Sequence, residues 1–264
     1  AIALRGVGAP KDAAAWQDAI PTLIIALTGT DNHLRDQARH GLMIAGGPAV
    51  PALIGPLTHE NAEVRRHATI AIEHIGPEAK AAIPALVKGL ADENAGLREH
   101  AVKALVRMGA ESLPSLIVAL KSTDPNVNDS AVRALGRLGA LPVPVLLVEL
   151  RTADAALAAR IVTVFTQLSR HASEPLIAML NHADIAVRKM SVSALTGMGI
   201  KVVPELIQML KSPDQTMRGN CAAALGNMGA VAKDAQAALR VEGPNFAEAL
   251  KRIEAPDGPL VPTL

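Results

Sequence analysis

The sequence predicts an all-α solenoid built from seven short two-helix repeats. Three observations predict it: a leucine that returns at nearly constant spacing, capping residues at fixed offsets from it, and a core alphabet of small aliphatics. The segments PTLIIAL, PALIGPL, PALVKGL, PSLIVAL, PVLLVEL, EPLIAML and PELIQML align on Leu23, Leu53, Leu86, Leu116, Leu146, Leu176 and Leu206, with spacings of 30, 33, 30, 30, 30 and 30 residues. A fixed period of this length marks a repeat architecture. Half of the 264 residues are apolar, yet the aromatics are only Trp16, Phe165 and Phe246. Such a set suits helices packed at close range and not strands, which favour aromatic and β-branched side chains.

The elements of a repeat follow from its punctuation. Pro21, Pro51, Pro84, Pro114, Pro144 and Pro204 precede the leucine by two residues, and Pro175 by one. Proline is tolerated at the first helical position, so these residues are expected to start the first helix (A) of each repeat. Eight residues after the leucine stand Asp31, Asn61, Asn94, Asp124, Asp154, Asp184 and Asp214. Their short side-chain oxygens are expected to cap the second helix (B). Helix B then closes on Gly46, Gly76, Gly109, Gly139, Gly199 and Gly229, with Ser169 in the fifth repeat. Glycine there supplies a left-handed C-cap. Counting from the apolar residue three after the cap as zero, positions 0, 4, 7, 8 and 11 of helix B are apolar or Gly, as in Val127, Ala131, Ala134, Leu135 and Leu138. They form one stripe. A single helix pair cannot bury that stripe, but stacked pairs can.

Position 1 of helix B is usually Arg: Arg35, Arg65, Arg98, Arg188 and Arg218, replaced by Asn128 and Ala158 in the fourth and fifth repeats. Lying beside the stripe, these arginines are expected to bond carboxylates or turn carbonyls within the stack. Residues 1–19 read as the remnant of a preceding repeat plus an N-terminal cap, with Ala3, Leu4, Val7 and Gly8 resembling the end of a helix B. That reading implies part of a larger protein. Residues 20–229 hold the seven repeats, 230–254 a degenerate capping repeat, and 255–264 a proline-rich extended or disordered tail. The segment PEAKAAIP adds three residues before the third repeat and is expected to form a surface loop.

The pattern D-x-x-[VLM]-R…A-x-x-A-L-x-x-[ML]-G resembles the short HEAT-like repeats named after phycobilisome lyases, over about residues 20–229. The resemblance implies a right-handed α-solenoid whose B helices line the concave surface. It fixes architecture and not function, because the family spans bilin lyases, adaptors and many bacterial proteins. Deoxyhypusine hydroxylase, a HEAT-like enzyme, binds two irons through repeated His-Glu dipeptides. At the corresponding places near the starts of the B helices only Glu99-His100 holds both residue types, in reversed order, so that site is missing. HEAT-like alkylpurine glycosylases use aromatic and basic side chains on DNA, and three aromatics cannot build such stacking platforms.

Formal net charge is +1, so no global field recruits nucleic acid or an anionic membrane. A single Cys221 excludes an intrachain disulfide and fits the cytoplasm, without excluding the periplasm. No run of about 18 consecutive apolar residues suggests a membrane span. Phosphate-loop, dinucleotide and nucleophile-elbow motifs are absent. His59-Glu60-Asn61-Ala62-Glu63 only approaches a zinc-protease helix, because its fifth residue is Glu and Asn61 is a cap. No catalytic residue, cofactor or metal ligand is expected.

What remains is a surface. Positions 3, 6 and 10 of helix B are expected to point away from the stripe, giving a basic track through His67, His74, His100, Lys103, Arg107, Arg133, Arg137 and Arg160. The corresponding positions of the last two repeats are small and neutral. Glu73, Glu99 and Asp129 flank the track and argue against nucleic acid. The plain reading is a solvated helix face; the sharper one is a site for an acidic segment of a protein partner. The leading expectation is therefore a non-enzymatic protein–protein interaction scaffold. The alternative implied by the resemblance is a bilin lyase or chaperone, with propionates on Arg107, Arg133 or Arg137; nonspecific nucleic-acid binding is a third reading, ranked below it.

Overall fold

The computed structural model describes residues 13–168, 170–241 and 246–254. The expectations for residues 1–8, for Ser169 and for the tail 255–264 lie outside the described residues. Every regular element among them is helical. The chain divides into two compact units, residues 1–135 and 136–264.

In the first unit the A helices are α1 (Ala13–Thr28), α3 (Val50–Leu53), α5 (Ile83–Gly89) and α7 (Leu113–Leu120), and the B helices are α2 (Asn32–Ala45), α4 (Ala62–Ile75), α6 (Ala95–Arg107) and α8 (Pro125–Gly136). In the second unit α9 (Val143–Leu150), α11 (Arg170–Met179) and α13 (Val203–Met209) alternate with α10 (Ala155–Leu168), α12 (Ile185–Met198) and α14 (Gln215–Met228). Two further helices, α15 (Gln236–Val241) and α16 (Ala247–Glu254), follow. Within the first unit α2 packs on α4 and α4 on α6; within the second α10 packs on α12, α12 on α14 and α14 on α16. Successive B helices thus form a layer in each unit, and the A helices pack against them.

The cap residues do what their chemistry dictates. Asp31, Asn61, Asn94, Asp184 and Asp214 adopt extended backbone and accept from N–H groups of the following turn. Asp124 and Asp154 accept from the Asn126 and Leu157 amides in the same way. All six closing glycines have φ between 57° and 71°, a region where a Cβ is strained. Position 0 is less covered in the first and fourth repeats, where Leu34 is exposed and Val127 half-buried. In the third repeat the whole stripe is buried, with Leu97, Ala101, Ala104, Leu105 and Met108 in the core. Burying one such Leu contributes about 1.5–3 kcal/mol.

Three expectations need correction. Pro21 does not start its helix, because α1 begins at Ala13 and carries Pro21 in its interior. Pro175 likewise lies inside α11. In both, the preceding turn already satisfies the helical geometry, and the missing N–H is tolerated rather than used as a start signal. The added residues around PEAKAAIP are not a loop. They form a 3₁₀ segment over Gly76–Ala82, kinked at Ala79, that buries Ala79 and Ala82. One stretch, Ile185–Met209, is long and apolar enough by length and composition to cross a membrane. Gly199, at φ 62°, and the 3₁₀ turn Gly199–Val202 divide it into α12 and α13.

Candidate functional site

The repeated arginine ties the turn that leads into the B helix in the repeats that carry it. Arg65 Nη1 donates to the His59 and Glu60 carbonyls at 2.9 and 2.8 Å. Arg98 reaches Asp92 and Glu93 at 2.7 and 3.1 Å. Arg188 and Arg218 repeat the same fork on His182 and Ala183, and on Ser212 and Pro213. Arg35 Nε takes the single carbonyl of Gly29. Asn128 Nδ2 still reaches the equivalent carbonyl of Ser122, at 3.2 Å; Ala158 has no donor to offer. The arginines therefore serve the turn between helices A and B, and are not part of a ligand surface. Arg65 also pairs with Asp92 of the next repeat at 2.7 Å. Burial works to raise Asp92, but hydrogen bonds from Arg65 and from the Asn94 N–H outweigh it and hold the carboxyl below its ordinary value.

The expected track separates into two kinds of position. Position 3 is not a ridge but a seam. His67 is 2% exposed, facing Asp36 of α2 through Nδ1 at 3.6 Å and Glu63 through Nε2 at 3.7 Å. Arg66 Nη2 lies 2.9 Å from His67 Nε2. A guanidinium can only donate, so Nε2 accepts and the proton sits on Nδ1. That buried Nδ1 has no hydrogen-bond partner. Burial, and after it the Arg66 charge, push the His67 pKa below 6.5. The Arg39 and Arg66 hydrogen bonds lower Asp36 and Glu63 in turn. His100 is half-buried, with Nδ1 at 2.7 Å from Glu73 Oε2 of α4. The expectation that His67 belongs to a free face is thus overturned. Position 3 stands about 60° from position 0 around the helix, close enough to the stripe to meet the neighbouring B helix.

Positions 6 and 10 are different. His74, Lys103 and Arg107 are exposed, although Arg107 Nη1 also donates to the Glu73 carbonyl at 3.0 Å. Arg133 is half-buried and bonds Ser130 Oγ at 3.0 Å. In the second unit, Arg137 at position 10 is exposed, while Arg160, at position 3 of α10, is half-buried like His100; both are engaged within the protein. The small, neutral side chains Met190, Ser193, Asn220, Ala223 and Asn227 of the last repeats border a groove of about 440 Å³, which Lys189 also lines. Sequence reasoning missed a second cavity, of about 700 Å³, lined by residues of α11, α13 and α14. Among the described residues no group of three or more His, Cys, Asp or Glu is placed to hold a metal ion. Cys221 is buried, and burial pushes its thiol up to about 12, so it is inert at neutral pH.

The closing glycines hold positive φ with ψ between −143° and −139° at Gly46, Gly199 and Gly229, instead of the expected left-handed helical turn. Capped helix pairs, these glycines and a recurring arginine-held turn define a layered α-helical repeat protein. The profile of HEAT repeats matches residues 50–117, 83–166 and 173–241, and the chain belongs to that family. No curated protein sequence matches it. Among solved structures it is similar to a designed armadillo repeat protein, at 20% identity and a TM-score of 0.33, covering 80% of this chain and all of that one. It is also similar to the complex of CpcE and CpcF of phycocyanin lyase from Nostoc sp. PCC7120, at 19% identity and 0.39, covering 94% and 97%. Importin beta is similar at 15% identity and 0.40, with 91% of this chain covered and 41% of that one.

Proposed function

We propose that the chain is a non-enzymatic protein–protein interaction scaffold that holds an acidic segment of a partner on the exposed side of its B helices. The observation that carries this reading is the outward placement of His74, Lys103 and Arg107 at positions 6 and 10 of α4 and α6. Arg133 of α8 stands at the equivalent position 6, half-buried. These side chains take no part in the aliphatic core, so Lys103 and the two arginines can offer charge to a ligand, Arg107 while sharing its bond to the Glu73 carbonyl. His67 is excluded from the contact set by its burial, and His100 is committed to Glu73. Trp16 and Phe165 are buried, which leaves the surface around Arg107 and Arg133 without ring faces for a pigment. A bilin is accordingly not the ligand we infer.

The test is a charge reversal. The triple variant Lys103→Glu, Arg107→Glu and Arg133→Glu is titrated with a fluorescein-labelled, glutamate-rich peptide at low ionic strength. Binding is expected to weaken by about tenfold or more, and wild-type affinity to fall steeply with salt. Unchanged binding at low salt removes this face from consideration.

A further inference from the structure

We infer a second docking site, on the second unit, that takes a lysine or arginine side chain presented on an apolar segment of a partner protein. The site is the cavity of about 700 Å³ between α11, α13 and α14. Its polar lining is Glu174, Glu205 and His171, with Ser173 and Gln208, while Ile177, Met209 and Met217 supply apolar surface. No Lys or Arg lines it. Glu205 Oε2 is shielded from solvent and has no hydrogen-bond partner. A carboxylate oxygen left without a partner is costly, so a cation entering the cavity gains when the half-exposed Glu205 side chain turns to meet it.

The repeat itself provides an independent argument. At the place of Glu174, two residues before the repeat leucine, every other repeat has proline: Pro21, Pro51, Pro84, Pro114, Pro144 and Pro204. At the place of Glu205, one residue before that leucine, the others have Thr22, Ala52, Ala85, Ser115, Val145 and Pro175. Stacking does not need either carboxylate, since five neighbouring repeats stack without them. Two separate departures from the period, one in the sixth repeat and one in the seventh, nevertheless line the same cavity. Their charge selects a cation, and the apolar surface beside them selects one carried on a greasy stem or between apolar neighbours, as lysine and arginine are.

This site is independent of the basic face proposed above, being opposite in charge and formed by other residues, so reversing Lys103, Arg107 and Arg133 is expected to leave it unchanged. The test uses the full chain with ¹³C-methyl methionine and a blocked pentapeptide carrying lysine between two leucines, compared with its norleucine analogue. The lysine peptide is expected to shift the Met209 and Met217 methyl resonances saturably, and to bind about tenfold more tightly than the norleucine form. Glu205→Gln is expected to abolish that preference; Glu174→Gln, which touches no buried unpaired oxygen, serves if the first variant fails to fold. Equal affinity for the two peptides, an undiminished preference in both variants, or equal shifts at Met43 in the first unit would overturn the assignment.

Discussion

The two units bury the same kind of aliphatic stripe but close the seams between their B helices with different chemistry. In the first unit the seams are ionic and imidazole-based: Asp36 faces His67, Glu73 bonds His100 at 2.7 Å, and Arg65 pairs with Asp92 at 2.7 Å. In the second, hydroxyl and amide side chains bridge neighbouring repeats, beside an exposed ion pair of Arg151 with Asp184 at 3.8 Å. Thr166 Oγ1 donates to the Gly197 carbonyl at 3.3 Å, and Asn220 Nδ2 to the Leu180 carbonyl at 2.7 Å. Gly197 occupies position 10, where a Cβ would stand 2.4 Å from Val162 Cγ1, so α10 and α12 approach more closely there than a side chain would permit. The contrast teaches that the repeat prescribes its core and its turn, while the seam is free to vary. Unit one, which buries His67 between α2 and α4, is expected to respond to pH more strongly than unit two.

The comparison fails at once if the cores are unequal. Leu105 and Leu195 occupy the same position of α6 and α12, and both are fully buried. Replacing either by Ala is expected to cost about 2–5 kcal/mol. Native-state hydrogen exchange of the two helices reads each loss locally; a loss confined to one unit would break the equivalence. A smaller effect is expected from the turn. Arg98→Ala and Arg188→Ala each leave two carbonyls without a charged donor, at a cost of about 1–3 kcal/mol. The losses should match in the two units, because the fork belongs to the repeat and not to the seam.

The smallest effect sharpens the contrast most. His67 has its folded pKa pushed below 6.5, so between the two values the unfolded chain binds more protons than the folded one. Stability contributed by neutral His67 is present above 6.5 and is lost as pH falls through the window beneath it. Protonation would place charge beside Arg66 and Arg39, offset in part by Asp36 and Glu63. Exchange protection of α2 and α4 is therefore expected to decline from pH 7 toward pH 5, while that of α12 and α14 stays level. His67→Gln should flatten the decline. A slope that survives the substitution would assign it to other groups.

Much of this was legible in the sequence, because it is written in positions a helix reads by itself. Caps, closing glycines and the stripe depend on local geometry, and Asp31 or Gly199 needs no distant partner to reveal its role. The turn-holding arginines were legible for the same reason: their targets lie five and six residues back. What escaped depended on a neighbour. That His67 is buried follows from α2 lying against it, and nothing in the spacing of α4 alone says which flank that helix will cover. Pro21 and Pro175 misled because α-helix already runs through them, α1 from Ala13 and α11 from Arg170, whereas Pro51, Pro84, Pro114 and Pro204 follow a short 3₁₀ turn. Glu174 and Glu205 left a trace, as departures from the period, but only the fold shows that the two face one cavity.

The short reach of the arginine fork has a kinetic meaning. Its ring spans about half a dozen residues, so closing it costs little chain entropy and needs no other repeat. A nascent chain can tie each hairpin as soon as that segment clears the ribosome, and then wait for the next to arrive. Synthesis of this protein becomes a row of small knots tightened one after another, and contacts of low sequence separation of this kind favour fast folding.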